Sequence, residues 1–395
     1  MEFGKWFVLY QEALFRSVIP FWVAHSRDTQ SGGYFNALNA AGDPTDTDKS
    51  VHLQAQQVWA FAWLYNRVDA QPSWLDLARH GADFLRHHGR TETGRWLAVV
   101  DRRGRPVAPS PDVLPDCFAA MAFAQLFAAT GEREHAAIAV ETMGHLLAHR
   151  QRERIRQAEE LGGFREFRRL GECMTTLKAL LEVRPLLTPD HFKDSVEGVV
   201  QELQNEFFDK RLNLLRENVL PEGAFSDTAP GRRLHPGLVF ETAGYLLDAA
   251  EVTGNRKLVQ QALLMAYPLA DIGWDNTNGG FFQYADLKER PLLFTEWDRK
   301  LLWVHTEALA FFTRAYALTR QNDCLKWIRK VHEYLWDHFP DKNGKEWFGT
   351  LDRTGVPVTT CKVTPERGCY HQIKGLYQIW QTMEMIAVPG LRRVV

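Results

Sequence analysis

One short arm recurs along this chain and limits what it can fold into. Gly33-Tyr34-Phe35-Asn36-Ala37-Leu38-Asn39-Ala40-Ala41-Gly42 is echoed by Arg95-Trp96-Leu97-Ala98-Val99-Val100-Asp101-Arg102-Arg103-Gly104. Glu346-Trp347-Phe348-Gly349-Thr350-Leu351-Asp352-Arg353-Thr354-Gly355 repeats the pattern, and Gly279-Gly280-Phe281-Phe282 is a weaker fourth copy. Each full copy is led by an aromatic residue and closes in Asn/Asp-x-x-Gly, the chemistry of a tight turn. The segments between the arms are apolar at helical spacing, and no long parallel-strand pattern appears. A helix pair carrying a short hairpin buries its inner face only against further copies of itself, so the repetition predicts a closed ring of helix pairs. About six pairs fit the length. No Pro-, Gly- or Ser-rich linker interrupts the chain, so residues 1–395 read as a single domain.

The spacing predicts helices over Phe3 to His25, Val51 to Val68, Trp74 to His87, Asp116 to Thr130, Glu132 to Arg154, Glu172 to Arg184, Pro189 to Phe207, Pro236 to Thr253, Lys257 to Leu269, Thr295 to Thr319, Asp323 to Phe339 and His371 to Ile386. Gly162-Gly163 reads as a break. The more apolar helices belong inside, with their N-terminal ends gathered at one mouth. Pro106 to Pro115 is the loop best placed to cover it.

Composition excludes several classes. A net charge of −2 gives no field that favours nucleic acid or an acidic membrane. No run reaches the ~18 apolar residues of a membrane span. Glu2, Lys5, Glu12 and Arg16 interrupt the apolar N-terminus, which therefore lacks the core of a signal peptide. The five cysteines, 117, 173, 324, 361 and 369, form no CxxC pair and read as reduced thiols of a cytoplasmic protein. No metal, P-loop or calcium motif is present, so no metal and no cofactor is expected. The thirteen Trp and 24 Phe suffice to line a pocket as well as fill a core.

Polar groups crowd one helix start. Pro236-Gly237 breaks the chain, and Leu238 to Asp248 follows with helical apolar spacing. Arg232, Arg233, His235 and Glu241 surround this start, whose free N–H groups suit a polar or anionic ligand. An ordinary capped loop is the competing reading. Asp116 and Glu172 also open helices, where they either cap or face a ligand.

A set of segments resembles one known family. The segments are Phe21-Trp22-x-x-His25-Ser26 with Gly32-Gly33-Tyr34-Phe35, Leu53-Gln54-x-x-Gln57-Val58-Trp59, Gly273-Trp274-Asp275 with Gly279-Gly280, Lys300-Leu301-x-Trp303-x-His305-Thr306-Glu307-Ala308, Glu346-Trp347-Phe348-Gly349, and Gly368-Cys369-Tyr370-His371. In this order they resemble the N-acylglucosamine 2-epimerase family, which includes cellobiose 2-epimerases and aldose–ketose isomerases. The resemblance implies an all-α (α/α)6 barrel, a homodimer and a small-molecule sugar substrate, with proton transfer at the carbon next to the sugar carbonyl. It places His371 at the C-terminal catalytic histidine and Glu307 at the active-site glutamate. Glu241 matches a glutamate after Pro-Gly, and His305 and Trp303 join the substrate-binding candidates. Two positions depart from the family pattern. Leu238 stands where the family has its second catalytic histidine, and Gln56 where it has an arginine.

Three readings follow. In the first, an epimerase or isomerase has a rebuilt site in which His235 replaces the lost histidine and Arg232 or Arg233 the lost cation. In the second, the protein keeps the pocket as a binding or regulatory module. In the third, a glycosidase uses two of Asp116, Glu172, Glu241, Glu296 and Glu307.

Overall fold

The computed structural model of the protein describes residues 2–160, 166–342, 344 and 346–388. Helix α1 (Phe3–Glu12) runs through a π turn, Ala13–Val18, into α2 (Ile19–His25), which gives the unbroken first helix the spacing predicts. Pairs follow: α3 (Val51–Arg67) with α4 (Pro72–His88), α5 (Leu114–Thr130) with α6 (Arg133–Glu160), and α7 (Leu170–Val183) with α8 (Pro189–Glu202). After the one-turn α9 (Ala229–Arg232) come α10 (Pro236–Thr253) with α11 (Lys257–Gly273), α12 (Leu302–Thr319) with α13 (Asn322–His338), and finally α14 (Tyr370–Ala387).

The contacts close a ring. α3 packs on α5, α5 on α7, α7 on α10, α10 on α12, α12 on α14, and α14 back on α3. Each inner helix has an outer partner, and for α14 that partner is α1. This is the expected (α/α)6 barrel. Burial separates the layers. On inner α5 every residue from Cys117 to Ala124 is buried, whereas outer α13 buries the stripe Cys324, Trp327, Ile328, Val331 and Leu335. No helix among the described residues is long and apolar enough to cross a membrane.

Short strands fix where inner helices begin. β1 (Lys49–Ser50) pairs with β2 (Leu97–Val100), and β2 with β3 (Pro106–Pro109), all antiparallel. β4 (Arg168–Arg169), ahead of the small hairpin β5 (Phe208–Asp209) and β6 (Leu214–Leu215), pairs with β7 (Asn218–Val219). β8 (Arg233–Leu234) pairs with β9 (Ala285–Asp286), and β10 (Lys300–Leu301) with β11 (Thr350–Leu351). β1, β4, β8 and β10 each lead directly into an inner helix. The recurring turns form as expected. The side-chain oxygens of Asn39, Asp101 and Asp352 accept from the backbone N–H two residues on, at 2.9, 2.9 and 2.8 Å.

α6 runs to Glu160 rather than ending at Arg154, and two other helix ends differ from expectation for a visible reason. α12 starts at Leu302 rather than Thr295, because Lys300 and Leu301 are taken by the β10–β11 ladder. α11 continues through Pro268 to Gly273, whose carbonyl accepts Phe282 N–H at 2.8 Å and anchors the end. The expected break at Gly162-Gly163 lies outside the described residues.

Candidate active site

The N-terminal parts of all six inner helices line one cavity of about 830 Å³. α3 contributes His52 and Gln56, α5 Phe118, α7 Glu172 and Lys178, α10 Leu238 and Glu241, α12 Trp303, and α14 His371 and Gln372. Asp112 and Val113, from the loop expected to cover the mouth, also line it, although Pro106–Pro109 of that loop is strand.

The floor is a chain of paired charges. His371 Nδ1 lies 2.9 Å from Glu307 Oε1, and Lys374 Nζ donates to both Glu307 oxygens at 3.1 Å. His371 and Lys374 are one turn apart on α14, so both reach the same carboxylate. Glu307 is buried behind His371 and does not line the cavity. Burial pushes its carboxyl upward, but the Lys374 ammonium and the His371 hydrogen bond outweigh that and hold it well below the usual range. An ionised Glu307 accepts a hydrogen bond from Nδ1–H, so the neutral tautomer of His371 has its lone pair on Nε2.

Beside this pair, Glu241 Oε1 receives Lys178 Nζ at 2.9 Å, with both side chains almost fully buried. One donor atom each of Glu241, Glu307 and His371 lies within 4.8 Å of the others. That spacing fits a divalent ion, but two ammonium groups already balance the two carboxylates and a dication would have to displace them. Beneath them the Tyr245 and Tyr370 hydroxyls bond at 2.7 Å.

Gln56, Glu172, Glu241, Trp303 and His371 all reach the cavity as expected. Five expected site residues do not: Glu307, which stands behind His371, and four others. His235 precedes α10 as its N-cap and is buried between Tyr284 and Trp303, outside the cavity lining. Burial pushes its pKa down to about 3, so the ring is uncharged at neutral pH. Arg232 is consumed by Asp286, at 3.1 Å, and by Asp227, at 3.2 Å. His305 accepts Phe281 N–H on Nε2 at 2.9 Å and bonds the Leu301 carbonyl through Nδ1 at 2.7 Å, which makes it a satisfied core residue. Asp116 lies outside the lining, and burial raises its pKa to about 6. Arg233 does line the cavity, but Glu217 holds it in a two-pronged pair at 2.6 and 2.8 Å. Glu296 is exposed outside the cavity lining.

Lys178 and His52, which line the cavity, and Lys374, which pairs with Glu307 behind it, are groups that sequence reasoning passed over. A signal existed for Lys178: it is a single charge in the apolar run Leu177-Lys178-Ala179-Leu180, and a lysine in a buried stripe requires a partner. Lys374 is marked only by its one-turn spacing from His371.

Comparison with known proteins places this geometry among relatives. A family model described as N-acylglucosamine 2-epimerase matches residues 33–375. N-acylglucosamine 2-epimerase of Rattus norvegicus is 31% identical over 90% of this chain and 86% of its own. Cellobiose 2-epimerase of Dictyoglomus turgidum is 23% identical, covering 91% of this chain and 94% of the relative. Among solved structures, cellobiose 2-epimerase from Bacillus thermoamylovorans superposes with a TM-score of 0.82 at 19% identity, covering 96% of this chain and 99% of that one.

Proposed function

The chain belongs to the N-acylglucosamine 2-epimerase family of carbohydrate epimerases and isomerases, and we propose that it moves a proton at the carbon next to the carbonyl of an open-chain hexose or N-acylhexosamine. The observation that carries this reading is the His371–Glu307 bond of 2.9 Å at the cavity floor. His371 Nε2 takes the proton from C2, and the C2–H electron pair passes into the C1–O group as an enediolate. A proton, exchangeable with solvent while it is on the protein, then adds back. Addition to the other face of C2 gives the epimer, and addition to C1, with the O2 hydroxyl proton passing to O1, gives the aldose–ketose isomer. Glu307 acts through His371 by fixing its tautomer and balancing the imidazolium.

A second reading keeps the pocket and loses the turnover. Leu238 and Gln56 both line the cavity, and they stand where the resemblance places a histidine and an arginine. Leucine moves no proton, and glutamine offers a neutral donor where arginine offers a charge. Glycoside hydrolysis is less well supported, because it needs a protonated carboxylic acid. Glu307 is held ionised, and Glu241 is paired with an ammonium.

The experiment is an NMR assay of the purified protein with glucose, mannose, cellobiose, N-acetylglucosamine and N-acetylmannosamine. Appearance of a C2 epimer or of the matching ketose is the expected result. Binding of a sugar with no interconversion favours the second reading. A homodimer in the cytoplasm belongs to the same reading, and light scattering checks its oligomeric part.

A further inference from the structure

We propose that Lys178 is a catalytic residue of this proton transfer, holding the substrate's C1 oxygen and the negative charge that gathers there as the C2 proton leaves. The proposal rests on the proton-transfer reading above. An enediolate needs a fixed positive charge in a site shielded from water.

Four cations line the cavity among the described residues: Arg169, Lys178, Arg233 and Arg367. Arg233 is spent on Glu217. Arg367 gives Nη1 to the carbonyls of Trp347 and Lys362, and Nη2 to Glu346 and Gln372. Arg169 is exposed at the rim.

Lys178 is different. Its side chain is 2% exposed, and Glu241 Oε1 is its one hydrogen-bond acceptor among the described residues. An ammonium has three N–H donors, so two remain to be given. Three aromatic faces stand around it, Phe118 at 4.4 Å, Tyr370 at 5.1 Å and Tyr245 at 5.8 Å. These stabilise a cation without taking its N–H groups. Glu241 sits between the two working groups: it holds Lys178, and one of its oxygens lies within 4.8 Å of a His371 nitrogen. Lys178 thus stands across Glu241 from His371, as the cation available to the carbonyl oxygen of an open-chain sugar whose C2–H meets His371 Nε2. Gln56, also in the lining, adds a neutral amide.

A purely structural lysine would only balance Glu241, and the test separates the two roles. Lys178→Gln keeps a donor for Glu241 and removes the charge. The expected result is a fall in kcat of about 10²–10³-fold with KM within a few-fold of wild type. Affinity for an aldonohydroxamate, a planar mimic of the enediolate, falls by a similar factor, while affinity for the matching sugar alcohol stays the same. Lys178→Arg recovers part of both losses. A Lys178→Gln variant that turns over within about threefold of wild type overturns the proposal. So does equal weakening of hydroxamate and sugar alcohol. Should Lys178→Gln not fold, the charge-balanced Lys178→Gln/Glu241→Gln protein is titrated with the same two ligands. Loss of the preference for hydroxamate supports the proposal, and a wild-type preference overturns it. Wild-type protein that leaves the C2 proton of every sugar in place overturns the proton-transfer reading and Lys178 with it. Wild-type exchange beside unimpaired exchange by Lys178→Gln overturns Lys178 alone.

Discussion

Residues 26–104 and residues 273–355 build the same frame twice. Lys49 Nζ bonds Asp28, at 3.1 Å, and the Gly32 carbonyl, at 2.5 Å; Lys300 Nζ bonds Asp275 and the Gly280 carbonyl, both at 3.2 Å. Arg102 Nε joins Asp28 at 2.9 Å, and Arg353 Nε joins Asp275 at 3.3 Å. Tyr34 N–H donates to Gln54 Oε1 at 2.8 Å, and Phe281 N–H to His305 Nε2 at 2.9 Å. One constant offset in chain number carries Lys49 to Lys300, Gln54 to His305, Trp96 to Trp347 and Arg102 to Arg353. The same offset carries Gln56 to Glu307. The frames are therefore equivalent, and what differs is the residue each delivers to the barrel interior. Gln56 is neutral. Glu307 is ionised because α14 sets Lys374 and His371 against it. The repeated frame is thus a scaffold, and the proposed chemistry lies in one position of one copy together with α14.

The largest expected effect comes from making the copies alike at that position. Glu307→Gln gives the second frame the residue of the first. It removes the group that fixes the His371 tautomer, and kcat is expected to fall by about 10²–10⁴-fold in a steady-state assay of the substrate the NMR panel identifies. Retention of most of the activity would mean that the two frames do not differ in the way argued.

Next in size are the frame lysines. Lys49 and Lys300 are both fully buried. Lys49→Met and Lys300→Met each remove the buried cation from an aspartate that keeps its arginine and backbone N–H partners, and are expected to destabilise by about 1–3 kcal/mol. Urea unfolding measures this, and sharply unequal losses would break the equivalence.

Acid sensitivity is expected to separate the copies. Burial pushes the His305 pKa down to about 3, while an unfolded histidine titrates near 6.5. Between these values the unfolded state binds the extra proton, so stability is full above about 6.5 and is lost as pH falls toward 3. From pH 7 to 5 the loss is about 2 kcal/mol for this group. Gln54, the matching residue, has no such titration. His305→Gln is therefore expected to remove about that much of the acid destabilisation, seen as a smaller shift in urea midpoint between pH 7 and 5. The smallest effect is the same variant at pH 7. Glutamine accepts the Phe281 N–H as Gln54 accepts that of Tyr34, so stability is expected to change by less than about 1 kcal/mol, with turnover unchanged.

Most of the fold was legible in the sequence. Asn39, Asp101 and Asp352 with their following glycines marked the turns, and the unbroken apolar character of Cys117 to Ala124 marked an inner helix. The site was legible only in part. His371, Glu241 and Gln56 fall in the N-terminal parts of inner helices, and helical spacing alone sends them to one mouth. His235 misled because it sits one residue before α10, where extended backbone turns its ring behind Trp303. Arg232 misled because its partner Asp286 is far away in the chain, and spacing within a helix says nothing of such pairs. His305 stood beside Glu307 in the sequence, and only the second copy of the frame reveals that it does the work of Gln54.

The account turns on His371 as the carrier of a sugar's C2 proton. Its most direct test is the rate at which deuterium from D2O enters C2 of the identified substrate, read by proton NMR, for wild type and for His371→Asn. Washed-in deuterium with wild type and a loss of at least about 10³-fold in the variant is the predicted result. Exchange at C2 that persists undiminished in His371→Asn, or its absence from wild type across all the sugars tested, would contradict it.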